Sequence, residues 1–168
     1  MVEKPVEQTR PNIHQESILN AISVGSVFIL LGIVYVLALP ASLFDRTVGF
    51  FGGFTSTPFP GTSIYLPVPV NPAFHVVFYT AVFQFCLGIG LLQIFILFLR
   101  LMWRSPIGRT AETIGNMVFW LGSSAIVATF LNASTTTREW FAFWGAFLLV
   151  IGFSLLARAA VLFMKRLR

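Results

Sequence analysis

The side chains best able to do chemistry in this sequence lie on two predicted helices. At about 100 degrees per residue, His75, Tyr79, Cys86, Gln93, Arg100 and Arg104 fall within about 60 degrees of one another on the first. On the second, Glu112, Asn116 and Ser123 share a face in the same way. Two such stripes could line a small polar path, with His75, Tyr79, Gln93, Asn116 and Ser123 as its candidate residues. They could equally exchange interhelical hydrogen bonds, worth about 0.6 kcal/mol each on average. Bonding between helices is the simpler account.

Other chemistries find little support in the residue types. A bis-histidine haem site needs both ligands at one depth, and His14 and His75 belong to opposite ends of a span. His75 could meet a partner's cofactor or a quinone headgroup, but a lone interfacial histidine usually just hydrogen-bonds. Cys86 falls mid-span without a neighbouring histidine, and Ser123 and Ser124 lack an evident base. With two His, one Cys and six acids, no metal-ligand spacing and no nucleotide loop can be found. Glu112 is placed to pair with Arg109 or Arg158 as an anchor at the membrane surface. The sequon at Asn132 sits too close to the membrane for a glycosylating enzyme to reach. No catalytic, cofactor or metal residues are therefore assigned, and no cofactor is expected.

The elements that carry these residues follow from composition. Of the 168 residues, 57% are hydrophobic and only 10% charged. A soluble domain needs roughly 25% charged residues to cover its surface, so the chain is expected in a lipid bilayer. Its single cysteine excludes an intramolecular disulfide framework. The net charge of +5 comes from basic residues beside apolar runs, which points to anionic lipid rather than nucleic acid as the partner.

Four runs approach the about 20 residues needed to cross the hydrocarbon core: Ile18 to Leu39, Phe74 to Leu99, Ile114 to Leu131 and Trp140 to Ala157. The expected fold is an all-α bundle of four transmembrane helices. A segment over 1–17 precedes a membrane domain over 18–157, and a basic tail follows over 158–168. Of the eleven basic residues, all but Arg46 and Arg138 fall in the segments that contain the termini and the middle connection. The positive-inside bias therefore places both termini in the cytoplasm. Three acids ahead of the first run, and its length of 22 residues, mark it as a retained span rather than a cleaved signal.

The halves of the chain echo each other, which suggests two tandem helical hairpins. GSVFILLG (Gly25 to Gly32) aligns with GNMVFWLG (Gly115 to Gly122), and Ala81 and Gly88 align with Gly145 and Gly152. Each span thus carries two small residues seven apart, a spacing that returns to nearly the same helix face and lets backbones approach closely. These eight residues are the expected helix-packing positions.

Between the first two spans, residues 40–73 form a long connection expected to be ordered on the outer side. Leu43, Thr47, Phe50, Phe51 and Phe54 gather on one side of a short amphipathic helix, which Ser42 can cap with Asp45 three residues on. Prolines 58, 60, 67, 69 and 72 then impose an extended, polyproline-like strip, which could cap the bundle or dock another chain.

The strings LFDRTVGFF, IYLPVPVNPAFH, LRLMWRSP and AETIGNMVFWLG resemble a group of small archaeal four-helix membrane proteins of unknown function. That resemblance covers most of the chain from Ile18 onward and implies no activity or site residues. The expected function is that of a non-enzymatic accessory, assembly or scaffold subunit of a cell membrane, either self-associating or bound to other membrane subunits. The alternative is a small transporter or channel subunit using the polar path.

Overall fold

A computed structural model describes residues 13–39, 42–103 and 105–166. Four long helices dominate: α1 (Ile13–Leu37), α3 (Val76–Met102), α4 (Ile107–Phe130) and α5 (Thr137–Arg166). A short helix, α2 (Leu43–Gly52), and a hairpin of β1 (Phe54–Pro58) and β2 (Tyr65–Pro69) fill the connection between α1 and α3. All four long helices are long and apolar enough to cross a membrane. At about 1.5 Å per residue, α3 reaches about 40 Å, more than the hydrocarbon core of about 30 Å requires.

Local chemistry explains the boundaries. Ser42 Oγ accepts the Asp45 N–H at 3.3 Å, capping α2, which runs out at the Gly52–Gly53 pair. A reciprocal cap starts α5: Glu139 Oε2 accepts the Thr136 N–H at 2.7 Å, and the Glu139 N–H is donated to Thr136 Oγ1 at 3.3 Å. The long helices run past the apolar runs that announce them, α4 and α5 by the most. The polar turn around Arg109 and Glu112 already belongs to α4, and α5 continues unbroken through Arg158 to Arg166. Charge ends a hydropathic run but not a helix, because Arg, Lys and Glu are good helix formers. Lys4, Arg10, Arg104 and Arg168, part of the orientation argument, lie outside the described residues.

The hairpin departs from the all-α expectation. Its extended second half is paired rather than polyproline-like, antiparallel with Phe54 opposite Pro69 and Pro58 opposite Tyr65. A ribbon of two strands has an outer edge on each side, where a proline's missing donor breaks no ladder bond. Gly61, at φ +78, closes the turn in the left-handed region, and Phe59 N–H donates to Ile64 O at 2.8 Å across it. A 3-10 turn over Pro72–His75 then leads into α3.

The long helices pack mainly in chain order, α1 on α3, α3 on α4 and α4 on α5. Glycines set each approach. A Cβ on Gly88 would lie 2.8 Å from Leu30 Cδ2, and one on Gly122 would lie 2.8 Å from Val150 Cγ1. On Gly90 it would collide with Leu121. Beside Gly115, Ser154 Oγ donates to the glycine carbonyl at 2.9 Å, joining α5 to α4. Ala81 is also buried. A Cβ on Gly25, Gly32, Gly145 or Gly152 would meet nothing within 4 Å among the described residues, so none of the four marks a close approach between the helices described. They sit on α1 and α5, the helices at the two ends of the packing order.

Candidate functional site

The polar stripe of α3 divides between two sites near opposite ends of the helix. Tyr79 and Gln93 are 14 positions apart, about 21 Å along the axis. A common helix face does not give them a common depth.

At the hairpin end, α2, the hairpin and the nearby ends of α3, α4 and α5 enclose an aromatic cluster. Phe50 is its hub: its ring stacks on Phe78 at 4.6 Å and meets Phe51, Phe54, His75, Tyr79 and Trp140 edge-on at 5.2 to 6.0 Å. His75 Nε2 lies 3.3 Å from the Val70 carbonyl oxygen, which can only accept, so its N–H tautomer donates there. Trp140 Nε1 donates to the Pro67 carbonyl at 3.2 Å and fastens the hairpin to α5. Tyr79 is 1% exposed, and its hydroxyl has no hydrogen-bond partner among the described residues. A cavity of about 660 Å³ runs between the hairpin and α5, walled by Phe50, Tyr79, Trp140 and Phe143 among others and reaching the exposed Trp144 and Leu148.

Near the other end, α1, α3 and α4 surround a polar cavity of about 180 Å³. Gln93 and Asn116 line it, with Arg100 buried in its wall. Asn20 and Ser23 of α1 complete it. Periodicity within single helices gives no sign of these two, because which third helix lies alongside depends on tertiary packing. Arg109 pairs with Glu112 at 3.4 Å on the rim, each side chain about half exposed. Arg158, the other candidate partner of Glu112, instead lays its Cβ against Gly115.

The structure therefore brings Gln93 and Asn116 together, and His75 with Tyr79, but does not join the two pairs. Ser123 is buried in α4 outside both cavities, and its hydroxyl has no partner among the described residues. The thiol of Cys86 is buried in α3. Among the described residues, no three His, Cys, Asp or Glu side chains are grouped to hold a metal ion. Comparison of the chain with known protein families, characterised proteins and solved structures finds no match.

Proposed function

We propose that the protein is a non-enzymatic membrane subunit that assembles through its two end helices, with further copies of itself or with other subunits of a membrane complex. One observation carries this reading: in each set of small residues matched between the halves, one pair is closed and the other open. Gly115 and Gly122 receive side chains of α5, whereas a Cβ on their counterparts Gly25 and Gly32 would meet nothing among the described residues. Gly88 receives Leu30 and Ala81 is buried, whereas a Cβ on Gly152 or Gly145 would meet nothing within 4 Å among the described residues. An open small-residue face on a spanning helix allows close approach by another helix, and without a hydrophobic drive in lipid such packing is a main source of association.

The distribution of basic residues supports cytoplasmic termini, with the hairpin outside. Gly88 and Gly122 are unsuitable test positions, because a larger side chain there would collide within the chain. Gly32→Leu and Gly152→Leu start from positions where an added Cβ meets no described atom within 4 Å. After gentle extraction from native membranes, the wild type is expected to migrate as a defined assembly, and the double variant as a single chain with unchanged helix content. A wild type that is a single chain under those conditions would overturn the reading.

The second reading is a small transporter or channel subunit. It is favoured by the meeting of Gln93 and Asn116 in one polar cavity.

A further inference from the structure

Helix α2 has three faces where an ordinary amphipathic helix has two. At about 100 degrees per residue, its residues fall into three sectors whose centres lie about 100 to 135 degrees apart. Leu43, Thr47 and Phe50 form the first, turned toward the bundle. Phe50 is buried against Phe78 and Trp140, and Thr47 Oγ1 turns back to donate to Leu43 O at 2.8 Å. Asp45, Arg46, Gly49 and Gly52 form the second, all of them exposed. Phe44, Val48 and Phe51 form the third, and they are exposed as well, at 70%, 55% and 66%. A helix that lies in water against a protein needs only the first two.

The neighbours of α2 indicate what its third face meets. Phe51 meets Phe78 edge-on at 6.2 Å, and Phe78 is the third residue of α3, a helix able to span the membrane. The exposed stripe is therefore continuous with the side wall of a span, about 3 Å along the axis from its first residue. At its other end α2 leads into the hairpin, whose outer strand edges hold backbone groups that hydrocarbon cannot satisfy. This end of the molecule thus stays level with the headgroups. A helix in the membrane plane there has hydrocarbon beneath it, water above it and the bundle at its flank. Three surroundings match three sectors, with two rings and a valine for the hydrocarbon, and both charged side chains of α2 for the water.

We propose that α2 is an in-plane membrane anchor: Phe44, Val48 and Phe51 insert among the acyl chains of the leaflet on the hairpin side, while Asp45 and Arg46 stay among the headgroups. The hairpin, which begins at Phe54 directly after α2, is thereby held at a fixed depth. This goes beyond the assembly reading and does not depend on it, since the residues involved lie apart from the open glycines of α1 and α5.

Depth, read residue by residue in the full chain, tests this. In a Cys86→Ala background, Phe44→Cys, Asp45→Cys, Val48→Cys, Gly49→Cys and Phe51→Cys each carry a nitroxide label in phosphatidylcholine vesicles. Oxygen concentrates in hydrocarbon and a nickel chelate stays in water, so the ratio of their collision rates with the label reports its depth. For a face about 5 Å or more into the chain region, the ratio at Phe44, Val48 and Phe51 is expected to be about tenfold that at Asp45 and Gly49. A ratio alike at all five positions would overturn the anchor. Labels at Phe44, Val48 and Phe51 that neither agent reaches would show a protein chain on that face and overturn it too, while the assembly reading stands. If a labelled variant loses helix content, the unmodified chain is photolysed with a phosphatidylcholine carrying an aryl trifluoromethyl diazirine at the end of one acyl chain. Carbene insertion is then expected at Phe44, Val48 and Phe51, and insertion that does not favour these three over Asp45 and Arg46 would overturn the proposal.

Discussion

At the hairpin end, six aromatic or imidazole rings crowd around Phe50 and side-chain polar groups are few, whereas about 21 Å along α3 the side chains of Gln93, Arg100 and Asn116 surround a small polar space. In a bilayer this contrast sets depth. The hairpin's outer edges carry backbone groups that lipid cannot satisfy, so the aromatic end belongs at a membrane surface. Arg100, Arg109 and Glu112 place the polar end at the opposite surface. Both ends meet the headgroup region, but one is held by ring contacts around Phe50 and the other by polar groups that water can also satisfy. Truncations should therefore weigh unequally on the two ends.

Phe50→Ala should have the largest effect. Lipid can replace some lost contacts but cannot follow into the space between α2 and α3, so a loss of about 3 kcal/mol is expected, the low end for burying a phenylalanine. Unfolding in mixed micelles by added dodecyl sulfate would measure it. A loss no larger than that of a polar-end variant would break the contrast. Trp140→Phe should have an intermediate effect, because an aromatic ring remains in the cluster while the bond to Pro67 O and part of the indole's packing are lost. The expected cost is about 1 kcal/mol, with faster proteolysis at the Phe59–Ile64 turn. Unchanged proteolysis would show that the rings alone hold the hairpin.

How much of this was legible beforehand differs from feature to feature. The spans could be read because apolar length is nearly sufficient to announce a membrane helix, and α2 because Ser42 and Asp45 have the spacing of a cap. The hairpin could not, since prolines argue against strand pairing except where both strands are edges. Glycines seven apart show where a close approach is permitted but not whether a neighbour takes it, which is why Gly25 and Gly32 looked equivalent to Gly115 and Gly122. Gly90 escaped notice because it stands only two residues from Gly88. That offset turns it to the other side of α3, where Leu121 of α4 meets it while Leu30 of α1 meets Gly88. For the site, periodicity put Gln93 and Asn116 on facing stripes, but it could not see Asn20 and Ser23 arriving from α1, nor the depth that separates Gln93 from Tyr79.

The polar end gives the smallest effect and the sharpest test of what it is for. Gln93→Leu and Asn116→Leu each remove an amide from a cavity of about 180 Å³ that α1 also lines. If those amides hold helices together, each change costs about 0.6 kcal/mol, the average for an interhelical hydrogen bond, and the assembly keeps its mass. Leucine in a small polar cavity leaves Arg100 and Glu112 where they are, so the surface anchor persists. A permeation path would respond differently, because one apolar side chain in a narrow constriction stops conduction at little cost in stability. Ion flux through vesicles reconstituted with the wild type and each variant separates the cases. Equal leakage in all three is the expected result, and flux that either leucine abolishes would make the polar end the working part of the molecule.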